Sequence, residues 1–139
     1  MVPGLPRQEA KKSHVKIALA DDVLGNRELI VRLLELLGHE VICAASNGAE
    51  LVDQCSGLQV DVVFTDLDMP VMDGLAAAQE LADKDIPVIL VSGHDDADML
   101  VLDHEPVVAI VSKPVSLASL QIAIEQALAE AIDLPRRPK

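Results

Sequence analysis

Five short apolar segments alternate with stretches of helical period along the chain. Within each segment the apolar positions are nearly continuous rather than alternating with polar ones. Continuous apolar strands are covered on both faces, which is typical of a parallel sheet. The predicted strands are residues 15–20, 41–45, 60–66, 87–92 and 107–112.

Apolar residues between and after these strands recur with the period of an α-helix. The predicted helices are residues 25–38, 47–57, 73–84, 94–105 and 116–132. Asn47 and Ser116 are side chains that cap helix starts, and Gly38 is a residue that ends helices. The apolar face of the first helix is predicted to contain Leu29, Ile30, Leu33, Leu36 and Leu37.

The alternation of five strands with helices predicts an open, doubly wound α/β sheet with helices on both faces. The folded unit is predicted to cover residues 14–132. Residues 1–13 and 133–139 contain prolines and basic residues without periodicity, and they are interpreted as linkers or tails. In sheets of this class, ligands bind beyond the carboxyl ends of the strands, where the strand order reverses.

Charge and composition exclude several functions. The chain has 11 basic and 23 acidic residues, and residues 15–131 alone have 5 basic and 21 acidic ones, a net charge of −16. Such a surface repels phosphate backbones, so direct nucleic-acid binding is not expected. No apolar run has the length of a membrane span, and the first residues lack the apolar stretch of a signal peptide, which favours a cytoplasmic protein. Cys43 and Cys55 are predicted to be small buried residues rather than a disulfide.

Polar side chains end or follow four of the predicted strands, at the edge where a ligand is expected. These residues are Asp21, Asp22, Asp66, Ser92 and Lys113, and Gly93 comes directly after Ser92. Three carboxylates close together repel one another and favour a bound cation. Ligands that are all oxygen favour Mg²⁺ or Mn²⁺, and a lysine ammonium suits a phosphoryl group. The alternative for each single acidic residue is a helix cap. His39 and His104 are predicted to lie on the surface.

Four segments of the chain resemble the motifs of response regulator receiver domains. They are ALADD (18–22), FTDLDMPVMDG (64–74), VSG (91–93) and SKP (112–114), which occur in the family's order. The resemblance covers about residues 15–131. Within the family, the sequence is especially similar to receivers attached to hybrid sensor kinases. The resemblance implies a flavodoxin-like (βα)5 sandwich with a parallel sheet in the order 2-1-3-4-5.

The resemblance also implies roles for the acidic residues. Asp66 matches the phosphoacceptor, whose carboxylate attacks the phosphorus of a phosphohistidine. Asp22 and Asp66 would bind Mg²⁺ directly, together with the backbone carbonyl of Asp68. Asp21 would act on the metal mainly through water.

The remaining motif residues are expected to complete the phosphoryl site. Lys113 would neutralise charge on the transferring group, and Ser92 would be the switch hydroxyl that closes on a phosphoryl oxygen. Backbone N–H groups near Leu67 and Gly93 would form a cradle. The family also implies a cis peptide between Lys113 and Pro114.

Three positions are expected to tune signalling. Asp68 and His94 would flank the mouth of the site and set the lifetime of the phosphoryl group. Ile110 departs from the family, which usually has tyrosine or phenylalanine there. A β-branched side chain is stiff and cannot supply a rotating ring. We therefore expect phosphorylation to reorganise the loop that begins at Gly93 and to leave the backbone at Ile110 nearly unchanged.

The expected function is that of a phosphoacceptor signalling domain that assists its own phosphorylation and dephosphorylation, and not that of an enzyme. The phosphoryl donor would be a sensor histidine kinase or a histidine phosphotransfer domain. A downstream protein would bind the face formed by residues 94–105, 107–112 and 116–132, and a phosphorylation-dependent homodimer is a further expectation. Two alternatives stay open: a phosphatase of the haloacid dehalogenase type, suggested by Asp66 and Asp68, and a receiver-like interaction module that works without phosphorylation.

Overall fold

The computed structural model describes residues 14–67, 69–93 and 107–133, with side chains described as far as residue 129. The five strands form one sheet in the order β2-β1-β3-β4-β5, and every neighbouring pair is parallel. The strands are β1 Lys16–Ala20, β2 Glu40–Ala45, β3 Val62–Asp66, β4 Val88–Ser92 and β5 Val107–Ser112. The predicted sheet and the strand order that the resemblance implies are both confirmed.

Four helices flank the sheet in the described parts of the chain. They are α1 Leu24–Leu36, α2 Gly48–Cys55, α3 Gly74–Leu81 and α4 Leu117–Asp133, and a short 3-10 turn, Ala82–Lys84, follows α3. The helix predicted over residues 94–105 lies outside the described residues. Within the described residues, none of the helices is both long enough and apolar enough to cross a membrane.

Local capping sets the helix ends that the sequence predicts. The Asn47 side chain accepts a hydrogen bond from the backbone N–H of Glu50 at 2.8 Å. Likewise, Ser116 Oγ accepts one from the backbone N–H of Ser119 at 3.0 Å. Gly38 follows the last turn of α1 with a φ of +95°, a conformation that glycine adopts without steric cost.

The apolar core consists of two layers, one on each face of the sheet. α1 and α4 cover one face, while α2 and α3 cover the other. β3 and β4 lie in the middle, and every residue in both strands is buried. Burial on two faces explains why these strands read as continuous apolar runs.

The buried face of α1 differs from the predicted one. Ile30 and Leu34 are buried, whereas Leu29 is 47% exposed and Leu36 is 69% exposed. The helix packs against the sheet beside α4, where Ile30, Leu33 and Leu37 of the predicted face contact the core together with Leu34, which was not predicted. The prediction for Leu29 and Leu36 was therefore wrong.

His39 is buried, although the sequence predicted it on the surface. Only 4% of the residue is exposed. Its Nδ1 accepts a hydrogen bond from the backbone N–H of Val15 at 3.2 Å, and its Nε2 lies 3.3 Å from Oε1 of Gln121. These partners are distant in sequence, and they satisfy the ring nitrogens in a site that excludes water.

Cys43 and Cys55 are free and buried, as predicted. Burial raises the pKa of the Cys43 thiol to about 11, with smaller contributions from Cys55 and Glu50. Its Sγ donates a hydrogen bond to Oε1 of Gln54 at 2.8 Å, which also holds the proton on sulfur.

We therefore expect Cys43 to react slowly with alkylating reagents. At about pH 8 its thiolate population should be about a hundredfold lower than that of an ordinary cysteine, and burial adds a steric barrier. Peptide mapping after timed alkylation measures this, with urea-unfolded protein as the control. Cys43 should react at least about tenfold faster after unfolding. Equal rates in the two states would contradict the buried, protonated thiol.

Candidate functional site

Three carboxylates converge at the carboxyl edge of the sheet. Asp21 and Asp22 directly follow β1, and Asp66 is the last residue of the neighbouring β3. One oxygen from each lies within 4.8 Å of the others. The two strands are parallel and paired as Ala20 with Thr65, so their ends bring these side chains to the same place. The predicted acidic cluster is therefore present in the structure.

Asp21 is the most constrained member of the cluster. It is fully buried, and its Oδ1 accepts a hydrogen bond from the backbone N–H of Val23 at 2.9 Å. Its Oδ2 is buried without a hydrogen-bond partner among the described residues, and the nearest cation is Lys113 Nζ at 3.9 Å. A buried carboxylate oxygen without a partner is costly unless a cation or water compensates it.

These carboxylates fit a hard divalent cation. Their ligand atoms are all oxygen and lie within coordinating reach of a shared point. One of these atoms, Oδ2 of Asp21, lacks a hydrogen-bond partner. The exposed Asp22 leaves one side of the cluster open to solvent, as a site for Mg²⁺ with bound water requires.

Lys113 places a positive charge beside Asp66. Its Nζ lies 3.2 Å from Oδ1 of Asp66, and its side chain is 30% exposed. The backbone N–H of Lys113 donates to the carbonyl of Ser92 at 2.9 Å, which fixes the residue just beyond the end of β5. The peptide between Lys113 and Pro114 is cis, as the resemblance implies.

Asp66 is buried among charges of both signs. Burial, and then the neighbouring Asp21 carboxylate, raise the pKa of Asp66 above its ordinary value. Lys113 opposes this effect through its hydrogen bond and its charge, while Asp22 adds to it. Ionised Asp66 is therefore less stable here than in water when no metal is bound.

The predicted switch and cradle residues take different positions. Ser92 ends β4 beside this edge and is 4% exposed, whereas Gly93 is exposed. The backbone N–H of Leu67 donates to the carbonyl of Val91 at 3.1 Å, and the cradle near Leu67 and Gly93 stays a prediction. That amide is committed to the sheet, so it can bind a phosphoryl oxygen only if this bond breaks.

Asp68 and His94 lie outside the described residues, so their effect on phosphoryl lifetime stays a prediction. Ile110 lies in β5, is partly buried, and packs against the core layer beneath α2 and α3.

Sequence reasoning missed the role of Gly74. Its backbone N–H donates to the carbonyl of Leu67 at 2.8 Å. A Cβ on this residue would press into the carbonyl oxygen of Asp66, and it would lie 3.0 Å from the carbonyl carbon of Asp66 and from Cα of Leu67. The Asp73-Gly74 pair was a signal for a turn or a helix start, but only the structure shows that β3 approaches the helix at this residue.

The loop before Gly74 forms a tight turn. The backbone N–H of Met72 donates to the carbonyl of Pro70 at 2.7 Å, and Val71 between them has a φ of +71°. Valine is rare in this left-handed region, so the turn is strained. The carbonyl of Met72 in turn accepts a hydrogen bond from the N–H of Gly48, which ties the turn to the start of α2.

A groove of about 330 Å³ lies next to the cluster, between α1 and the segment after β5. Its lining is mostly apolar and includes Leu29, Ile30, Pro114 and Val115, with Lys113 at one side. A partner that occupied this groove would come within reach of Lys113.

The chain matches known proteins over most of its length. A family model described as the response regulator receiver domain matches residues 17–125. The tetrathionate response regulatory protein TtrR of Salmonella typhimurium is 36% identical over 115 residues, which are 81% of this chain and 55% of that protein. The chain thus spans about half the length of this relative. The family match gives no support to a haloacid dehalogenase fold.

Solved structures agree with the observed fold. A receiver domain protein of Clostridium thermocellum has a TM-score of 0.75 and 31% identity, and the match covers 84% of this chain and 95% of that one. The receiver domain of the sensor histidine kinase PA1611 of Pseudomonas aeruginosa has a TM-score of 0.74 and 22% identity, covering 84% and 98%. That structure contains a magnesium ion in its active site cleft, and at this identity its likeness shows the fold alone.

Proposed function

The chain belongs to the response regulator receiver domain family, and on this premise we propose that Asp66 accepts a phosphoryl group from a phosphohistidine. The donor is a sensor histidine kinase or a histidine phosphotransfer domain. The observation that carries the proposal is the position of Lys113 Nζ, 3.2 Å from a buried Asp66 that also belongs to the acidic cluster. This arrangement pairs a nucleophilic carboxylate with a cation suited to a phosphoryl oxygen.

In the proposed reaction, a carboxylate oxygen of Asp66 forms a bond to phosphorus as the bond from phosphorus to the donor imidazole nitrogen breaks. The product is an acyl phosphate on Asp66, and the electron pair of the broken bond stays on the imidazole. Lys113 neutralises charge on the transferring oxygens, and Ser92 and the N–H of Gly93 bind them afterwards. The apolar groove beside Lys113 gives the donor protein a surface to contact.

Asp21, Asp22 and Asp66 would hold Mg²⁺, together with the Asp68 carbonyl that the resemblance implies. When bound, the ion supplies positive charge that offsets the repulsion among the carboxylates and the charge of the phosphoryl oxygens. The chain's own contribution is to keep the carboxylates together, with the buried Oδ2 of Asp21 left without a hydrogen-bond partner.

Incubation with acetyl phosphate and Mg²⁺, followed by intact mass measurement, tests the proposal. One stably added phosphoryl group is the expected result, with a chelator as the control. Rapid release of inorganic phosphate without an accumulating adduct would favour a phosphatase. A chain that stays unmodified both by acetyl phosphate and by a phosphorylated histidine phosphotransfer domain would favour an interaction module and overturn the proposal.

Mg²⁺ should stabilise the folded protein, because the carboxylates are assembled only in the native state. At about ten times its dissociation constant, the ion should add about 1.4 kcal/mol, which raises the unfolding midpoint by about 3–5 °C. Thermal unfolding at matched ionic strength in NaCl is the control, since salt alone screens the net negative charge. An equal midpoint in the two salts would count against the metal site.

Phosphorylation should leave the backbone at Ile110 nearly unchanged. The side chain is stiff and already packed in the core, so the response should occur at Ser92 and Gly93 instead. Amide chemical shifts with and without beryllofluoride measure this. Shifts across residues 107–111 as large as those at Ser92 and Gly93 would show that strand β5 relays the signal after all.

A further inference from the structure

Arg27 lies in the first turns of α1 and reaches back to the acidic cluster. Its Nη1 donates a hydrogen bond to the backbone carbonyl of Asp21 at 2.7 Å. Its own backbone N–H donates to the carbonyl of Val23 at 2.9 Å, so the start of the helix fixes the base of the side chain. The guanidinium thus contacts the main chain beside the cluster rather than a carboxylate within it.

The carbonyl that Arg27 binds belongs to the peptide that joins Asp21 to Asp22. A peptide unit is planar and contains the Cα atoms of both residues that it joins. Holding its oxygen therefore fixes the orientation of the plane from which the Asp21 and Asp22 side chains extend. The backbone N–H of Asp21 is also held, because it donates to the carbonyl of Ala45 at 3.1 Å. With Oδ1 of Asp21 bound by Val23, the remaining Oδ2 is the oxygen left to face the cluster.

Arg27 also acts on the neighbouring loop. The pKa of Glu50 is lowered by hydrogen bonds from Ser46, and the charge of Arg27 lowers it further. Glu50 accepts from the backbone N–H of Ser46 at 2.8 Å and donates its own N–H to Asn47, which closes the cap of α2. The charge of Arg27 thus acts on the start of α2, while its side chain contacts the segment after β1.

We propose that Arg27 is a positioning residue for the metal and phosphoryl site, acting through the Asp21 carbonyl to set the spacing of the Asp21 and Asp22 carboxylates. Its consequence for phosphorylation rests on the proposed function, whereas its consequence for metal binding does not. Arg27 touches neither the metal nor the reacting atoms in this account.

The direction in which Mg²⁺ affinity changes when Arg27 is removed distinguishes a positioning role from an effect of its charge alone. Removing a positive charge near a cation site should strengthen Mg²⁺ binding if the charge alone matters. Removing a residue that orients the ligands should weaken it, by about tenfold or more, as is usual for partners of metal ligands. The two explanations thus predict opposite changes in the same dissociation constant.

Calorimetric titration of Mg²⁺ into the wild type, Arg27→Ala and Arg27→Lys tests the proposal. Arg32→Ala is the matched control, because it removes the same charge from an exposed position on the same helix. We expect Arg27→Ala to weaken Mg²⁺ binding by about tenfold. The Mg²⁺ affinity of Arg27→Lys should lie between those of Arg27→Ala and the wild type, because lysine keeps a hydrogen-bond donor but lacks the planar guanidinium. Arg32→Ala should leave the affinity unchanged or slightly higher.

A second measurement needs no metal. Hydrogen exchange of the Val23 amide reports its bond to Asp21 Oδ1, and it should speed up about tenfold in Arg27→Ala while core amides in β3 keep their protection. If Arg27→Ala fails to fold, the same comparison is made in Arg27→Lys with a smaller expected change. Unchanged Val23 exchange, or Mg²⁺ binding as tight as in the wild type, would overturn the proposal.

The phosphorylation readout keeps the two proposals apart. With acetyl phosphate, Arg27→Ala should need about tenfold more Mg²⁺ for half-maximal rate, with a maximal rate within about threefold of the wild type. If the wild type itself takes up no phosphoryl group while Mg²⁺ affinity still follows Arg27, the proposed function fails and the positioning role stands.

Discussion

Replacing Asp66 with asparagine is expected to abolish phosphoryl uptake and, at the same time, to stabilise the metal-free protein. The amide oxygen keeps the size of the side chain but cannot act as the nucleophile. Burial and the Asp21 carboxylate make ionised Asp66 unfavourable, so removing its charge relieves desolvation and repulsion among the carboxylates. We expect a gain of about 1–2 kcal/mol, or about 3–6 °C in the unfolding midpoint.

The stability that Asp66→Asn gains over the wild type should increase as pH rises. Because the pKa of Asp66 is raised on folding, the native state binds more protons than the unfolded chain between the ordinary and the raised pKa. Wild-type stability therefore falls as pH rises through that window. The advantage of Asp66→Asn should be full at neutral pH and vanish as pH falls below the ordinary pKa.

Asp53→Asn is the control for Asp66→Asn, since it removes one carboxylate from an exposed position on α2. It should change the free energy of unfolding by less than about 0.5 kcal/mol and leave phosphorylation intact. Thermal unfolding in the presence of a chelator and intact mass after acetyl phosphate give the two readouts. A less stable Asp66→Asn variant at neutral pH would contradict the electrostatic account of the cluster.

Replacing Gly74 with alanine is expected to damage both stability and phosphorylation. The added Cβ would press into the backbone carbonyl of Asp66, which is fixed at the end of a fully buried strand. Either the end of β3 or the start of α3 must move, at a cost of about 2–3 kcal/mol. Because the displaced residue is Asp66 itself, phosphorylation should fall at least about tenfold at saturating Mg²⁺.

Gly25→Ala is the matched control for this change. Gly25 also lies in the first turn of a helix at the same edge of the sheet, but an added Cβ there would meet nothing within 4 Å. Alanine favours helix over glycine, so this variant should be neutral or up to about 1 kcal/mol more stable. Denaturant unfolding of both variants measures the contrast. Equal stability of Gly74→Ala and Gly25→Ala would show that the close approach at Gly74 does not constrain the site.

The fold could be predicted from sequence because its signals are local. Continuous apolar runs mark strands buried on both faces, and Asn47 and Ser116 mark helix starts through hydrogen bonds that span three residues. The carboxylates could be placed together because parallel strands bring their carboxyl ends to one edge. None of these inferences needs the exact position of one element against another.

The predictions that were wrong or missing depend instead on contacts between elements that are distant in sequence. His39 is buried because Val15 and Gln121 supply its hydrogen bonds, and Gln121 is far from it in sequence. The predicted face of α1 was wrong at Leu36 because the helix's rotation is set by packing against the sheet and α4. The contact between Gly74 and the Asp66 carbonyl likewise depends on how closely two elements approach, which residue types alone do not encode.

Locating the phosphoryl group tests the assignment of Asp66 as phosphoacceptor most directly. The protein is first phosphorylated with acetyl phosphate and then reduced with borohydride, which converts an aspartyl phosphate to homoserine. Tandem mass spectrometry then assigns the homoserine to one residue. Conversion is expected at Asp66; it should require Mg²⁺ and be lost in Asp66→Asn, whereas Asp53→Asn should retain it. Conversion at another aspartate, or a stable adduct that persists in Asp66→Asn, would contradict the account.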